Sequence, residues 1–157
     1  MAVRNIVKFG DETLRKRSRE VEVIDERIVT LVNDMKETMA AAEGVGLAAP
    51  QVGILRRVVV VDLEEYGVVE MINPVIKKMS GHQEEVEGCL SNPGEYGVTS
   101  RPMNVTVEAL NLEGKKKKYS VSGLSARAVC HEVDHLDGKL FIDCVIRMLE
   151  PDDGSGK

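Results

Sequence analysis

The amino-acid sequence predicts an α+β fold. Helical periodicity is confined to two segments near the ends of the chain, the middle reads as strands and hairpins, and the strand–helix alternation of a parallel sheet is missing. With 157 residues, 30% of them charged, and a formal net charge of -5, the chain has room for one domain with a substantial core. The reading is a single domain over residues 1–149, followed by an acidic, polar tail at 150–157 that is expected to be flexible.

The first helix opens at Asp25, a residue type that caps helix N-termini. Ile28, Leu31, Val32, Met35 and Met39 follow the helical period, and Gly44 stands where a C-terminal stop belongs. Glu43 to Gly53 then reads as a loop of small residues. Val58 to Val61 is a short apolar strand. Val69 to Val75 is another, in which Asn73-Pro74 suggests a turn or an irregular edge. Val105, Val107 and Ala109 alternate, Gly114 turns the chain, and Tyr119 and Val121 return, which describes a hairpin. The last helix starts near Ser122 or Gly123 and ends at Asp137-Gly138. It carries Leu124, Ala128, His131 and His135 along one inward stripe.

Several function classes are disfavoured. The acidic balance argues against a nucleic-acid partner, and the run Lys115 to Lys118, following Glu113-Gly114, reads as a solvated hairpin turn. No segment approaches membrane-spanning length, so no membrane partner is expected. Cys89, Cys130 and Cys144 lack paired spacing, which fits reduced thiols in a cytoplasmic protein.

The chemistry is carried by His131-Glu132-Val133-Asp134-His135. On a helix this spacing stacks the two imidazoles on one face, where both reach one metal ion. Glu132 lies beside that ion rather than on it, where a group handling the protons of water belongs. Catalytic sites of this kind use three protein ligands. His82 sits in a polar turn, Cys130 leaves the helix at a different angle from His131, and Cys130 and Cys144 both read as small buried hydrophobes. Cys89, in Glu87-Gly88-Cys89-Leu90-Ser91, is better presented, but the residues alone leave the third ligand open. The segment Gly44 to Gln51 permits close backbone approach to a ligand, and Gln51 offers an amide donor for an oxyanion.

Together, three segments in this order resemble peptide deformylase. The family motif glycine-x-glycine-x-alanine-alanine-x-glutamine is met by Gly44-Val45-Gly46-Leu47-Ala48-Ala49-Pro50-Gln51. The second motif is met by Glu87-Gly88-Cys89-Leu90-Ser91 and the third by His131 to His135. Asp11-Glu12-Thr13-Leu14-Arg15 and Gly123-Leu124-Ser125-Ala126-Arg127 match in the flanks.

The resemblance implies antiparallel β-sheets wrapped around a central helix that carries the HExxH motif. It implies Cys89, His131 and His135 as metal ligands for one Fe2+ per chain, replaceable by Zn2+, Ni2+ or Co2+. The implied reaction is hydrolysis of the N-formyl group on the methionine that begins a nascent bacterial polypeptide. Glu132 would move the protons, and Gln51 with the backbone N–H of Leu90 would face the oxyanion. Val45 and Gly46 would pair with the substrate as an added strand, while Leu124 and Ala128 would line the methionine pocket. Asp134 is expected to pair with a cation such as Arg101.

Two features depart from the family pattern. Cys130 stands where glutamine often precedes the histidine motif. The short acidic C-terminus lacks a long basic helix, so docking to the ribosome by that route is unsupported. Two other readings are a zinc peptidase, which needs a further histidine or glutamate ligand downstream, and a non-catalytic site closed by a fourth ligand such as His82 or Cys144.

Overall fold

The computed structural model describes residues 2–149, and the tail expected at 150–157 lies outside the described residues. The first helix, α1 (Glu26–Ala41), begins as expected, with the Asp25 side chain accepting a hydrogen bond from the Ile28 N–H at 3.1 Å. It does not stop on Gly44. The left-handed residue is Glu43 (φ 56°), and Glu43 and Gly44 donate their N–H groups to Ala40 and Met39. That is the paired closure of a Schellman end, with the left-handed position taken by a residue other than glycine. Gly44 instead allows a close approach. A β-carbon on it would stand 2.7 Å from the Leu90 side chain.

The stretch read as a loop contains a short strand, β1 (Gly46–Ala48), and a 3₁₀ turn over Ala49–Val52. Next come β2 (Val58–Leu63), β3 (Gly67–Ser80), β4 (Gln83–Cys89), β5 (Asn92–Arg101), β6 (Asn104–Leu110) and β7 (Lys116–Ser122). The second helix, α2 (Gly123–Leu136), and β8 (Val145–Met148) complete the described chain. The strands form a five-stranded sheet in the order β1-β2-β3-β6-β7 and a three-stranded sheet in the order β4-β5-β8. All the pairings within both are antiparallel.

The unbroken valine run of β2 has a clear physical cause. Val58 and Val60 belong to the core shared with α1, Val59 and Val61 to the core shared with α2. Both faces of this strand are therefore dry, and the polar alternation of a half-solvated strand is lost. The helix bearing the histidines packs on the side of the large sheet opposite α1. Side-chain bonds from β4 then tie the small sheet to α2. This matches the predicted arrangement of antiparallel sheets about a central helix.

Asn73-Pro74 is not a turn. Strand β3 runs through it for 14 residues, with a register shift against β6 between Ile72 and Val75. Asn73 adopts φ 54°, and its side-chain amide both accepts from and donates to the Val21 backbone at 2.9 Å. A bulge supported by a distant segment replaces the chain reversal that the dipeptide suggested. Lys116 to Lys118 likewise belong to the exposed start of β7, with the turn before them.

Candidate active site

Two turns of α2 bring His131 and His135 to one face with ring centroids 5.0 Å apart. Strand β4 ends beside them at Cys89, held opposite Asn92 by the tight passage into β5. One ligand atom from each of Cys89, His131 and His135 lies within 4.8 Å of the others, and Cys89 Sγ is 3.4 Å from His135 Nε2. Among the described residues no further histidine, cysteine or carboxylate joins this cluster. His82 is exposed and contacts Glu84 and Ser100, and the half-buried Cys144 donates its thiol proton to the Phe141 carbonyl. Cys130 is buried, as expected.

The cluster fits a divalent transition metal. The donors are one soft sulfur and two imidazoles, a set that suits iron, zinc, nickel and cobalt. His131 gives its Nδ1 to Glu87, leaving Nε2 for the cluster. Three protein ligands without a fourth is the pattern of an open, catalytic site. A non-catalytic site closed by His82 or Cys144 is not what these residues form.

Glu132 is buried, and its Oε1 has no hydrogen-bond partner in the protein. Burial raises its carboxyl from 4.5 to about 7, with the His131 charge pulling the other way. The group faces β1, where a β-carbon on Gly46 would meet Glu132 Oε2 at 2.6 Å. Glycine at 46 is thus required by the carboxylate behind it.

Gln51 is held at both ends. Its Oε1 accepts from the Ala48 N–H at 2.9 Å, so its amino group must face Ser91 Oγ at 3.1 Å and Cys89 Sγ at 3.5 Å. A groove of about 380 Å³ runs over these groups, lined by Val45, Gly46, Gln51, Leu90, Leu124 and Ala128, with His131 and Glu132 in its floor. Leu124, expected on the buried stripe, is 42% exposed and lines this groove. A larger cleft of about 700 Å³ between the start of α1 and Arg56 contains none of these residues.

Glu87 and Thr99, missed from the sequence, lie behind the candidate ligands. Glu87 accepts from His131 Nδ1, from Thr99 Oγ1 at 2.8 Å and from Arg101 Nη2 at 2.7 Å. Burial opposes its ionisation, yet His131 and Arg101 outweigh burial and hold it at about 2. Arg101 also reaches Asp134 at 2.8 Å, the pairing anticipated for that aspartate. A signal for Glu87 was present, since residues two apart on a strand share a face and Glu87 precedes Cys89 by two.

A sulfur and two imidazoles converging on one point, with a buried carboxylate in the wall of a groove, define a mononuclear metal-dependent hydrolase. Comparison with known proteins specifies which kind. The sequence model described as polypeptide deformylase matches residues 3–150. A peptide deformylase of Acetivibrio thermocellus is 58% identical over 153 residues, covering 98% of this chain and 89% of the relative. Peptide deformylase 1 of Clostridium acetobutylicum is 56% identical over 91% of this chain and 95% of its own. The crystal structure of the Thermotoga maritima peptide deformylase superposes with a TM-score of 0.89 at 39% identity, over 92% of this chain and 99% of that one. The Ehrlichia chaffeensis enzyme in complex with actinonin gives 0.89 at 39% identity, over 92% and 90%. The chain belongs to the polypeptide deformylase family.

Proposed function

We propose that this protein hydrolyses the N-formyl group from the formylmethionine at the start of newly made polypeptides, releasing formate and a free amine. The observation that carries the reading is the convergence of Cys89, His131 and His135 beside the unpartnered carboxylate of Glu132, at the floor of an open groove. Residues 1–149 form the catalytic unit, which works in the bacterial cytoplasm.

Cys89, His131 and His135 hold the metal, with Fe2+ as the physiological ion. When bound, such an ion supplies Lewis acidity, so that water beside it ionises near neutral pH and a carbonyl oxygen beside it is polarised. Glu132 accepts the proton of the attacking water and later delivers it to the departing amine nitrogen, and a buried carboxyl near neutrality is suited to both transfers. The amino group of Gln51 and the backbone N–H of Leu90 stabilise the oxyanion on the formyl carbon. Val45 and Gly46 hold the peptide backbone as an added strand, and β1 is suited to this because it is an edge strand of its sheet. Leu124, Ala128 and the His131 ring receive the methionine side chain.

The test is anaerobic purification with metal analysis, followed by formate release from a formyl-methionyl tripeptide. One iron per chain and rapid release are expected, with a loss of about 10² or more in Glu132→Gln at unchanged iron content. An iron-loaded enzyme that releases no formate would overturn the proposal.

A further inference from the structure

On the side of α1 the large sheet is covered unevenly. Val58 and Val60 on β2, Ile72 on β3 and Leu110 at the end of β6 pack with that helix. Beyond them the same face of β3, β6 and β7 lies open. Register sets Lys78, Thr106 and Ser120 in one row across the three strands, and Ser80, Asn104 and Ser122 in the next. A shallow trough of about 610 Å³ follows these rows, with Lys77 in its wall. Strand alternation carries the face on to Lys118 and Lys116 along β7. Glu108, 3.9 Å from Lys118, is the one carboxylate in this part of the three strands. Lys77, Lys78 and Lys116 have no carboxylate partner among the described residues. The whole chain carries a formal charge of -5, so this cationic face stands on a protein that is otherwise acidic. Lysines on an edge strand such as β7 keep it from pairing with another chain. That role does not extend to Lys77 and Lys78, because β3 is the central strand of its sheet.

We infer that this face binds the sugar–phosphate backbone of double-stranded RNA. Lysines interleaved with short hydroxyl and amide side chains are the groups that contact phosphate and sugar oxygens. A-form RNA offers them a wide, shallow minor groove bordered by phosphates and 2′-hydroxyls, which a sheet face approaches without inserting an element. Unpaired strands are held instead by stacking on aromatic rings. None is presented here, since Tyr119 turns from β7 into the core shared with α2. Contacts of this kind follow shape and charge and do not read base sequence. Net charge disfavours a nucleic-acid partner for the chain as a whole, but the charge is segregated. The acidic remainder repels a polyanion and confines its approach to this one side. The helix that carries His131 and His135 packs on the other side of the sheet, so a bound duplex leaves the groove open.

The experiment titrates the full, metal-loaded chain into a fluorescein-labelled RNA duplex of about twenty base pairs, a length that spans such a face, and follows anisotropy. Binding should weaken about 40- to 150-fold between 50 and 200 mM salt, as three to four neutralised phosphates require. The double variants Lys77→Gln with Lys78→Gln, and Lys116→Gln with Lys118→Gln, should each weaken binding about tenfold or more and lower the salt slope by about two. Lys16→Gln with Lys139→Gln, the same charge change away from this face, should leave binding near wild type. All three double variants should release formate from formyl-Met-Ala-Ala at the wild-type rate, which shows that they are folded. A DNA duplex of the same sequence should bind more weakly, and polyglutamate of equal charge should not displace the RNA. No RNA binding, or equal losses in the control variant, overturns the inference. Equal affinity for the DNA duplex overturns the choice of RNA, and displacement by polyglutamate shows a face for acidic polypeptides instead.

Discussion

Glu87 accepts a hydrogen bond from Nδ1 of His131, so that ring has only Nε2 to turn toward Cys89 and His135. The carboxylate is itself fixed by Arg101 and Thr99, which makes the orientation of a candidate metal ligand depend on a buried ion pair in the small sheet. Removing the charge should loosen the ring. Glu87→Gln is expected to weaken metal binding by about 10- to 100-fold, read by competition with a chelator of known affinity. Wild-type affinity in that variant would confine Glu87 to a structural role.

Gly46 and Glu132 share a boundary with no room for a methyl group, at 2.6 Å from the carboxylate to the β-carbon that alanine would add. Gly46→Ala should push Glu132 off its position without touching a ligand. The expected result is a drop in kcat of about 10² at full iron content, since displacing a catalytic group by an ångström costs that much. Loss of iron together with activity would point instead to a general distortion of the site.

Gln51 presents its amino group from a fixed amide, because Ala48 N–H occupies the oxygen end. If that group stabilises charge on the formyl oxygen, Gln51→Ala lowers kcat by about 10²–10³ and changes KM little. A steady-state comparison decides the point. An effect confined to KM would remove Gln51 from the oxyanion role.

The candidate site was legible because metal chemistry restricts residue type and spacing together: His131 and His135, with Glu132 between them, announce themselves on any helix. Cys89 was not decided by its own neighbours, since a thiol in a strand end reads equally well as a small hydrophobe. It became a candidate ligand through the resemblance of the surrounding motif, and its position beside His135 rests on tertiary structure. Glu87 was harder to see because charged residues in β4 read as solvated, and only the approach of α2 makes it buried; Arg101 was expected beside Asp134, but not beside Glu87. The same limit explains β3. Asn73-Pro74 carries every local mark of a turn, and a bond to Val21, 52 residues away in sequence, overrides it.

Asn73 therefore offers a test of that override. Asn73→Gly tolerates the left-handed backbone but loses both bonds to Val21, and Asn73→Ala adds conformational strain to the same loss. Glycine should cost about 1–2 kcal/mol and alanine about 1 kcal/mol more, measured by urea denaturation. Equal destabilisation by the two would mean that backbone strain contributes nothing at this bulge.

Glu70 on β3 links α1 to the turn after β6: Lys36 donates to it at 2.8 Å and the Leu112 N–H at 3.0 Å. Burial alone would raise its carboxyl, but those two donors outweigh burial and hold it below the ordinary 4.5. On acidification the unfolded chain takes up this proton before the folded one does. The stabilisation is therefore complete above 4.5 and drains away as pH falls through the lower folded value. Both side chains keep some contact with solvent, which limits the contribution to about 1 kcal/mol at neutral pH. Glu70→Gln should lower Tm at pH 7 by several degrees. Its deficit against the wild type should then shrink as the pH is taken below 4.5, because the wild type is losing the interaction that the variant already lacks. Parallel melting curves from pH 7 into acid would show that Glu70 contributes no pH-dependent stability.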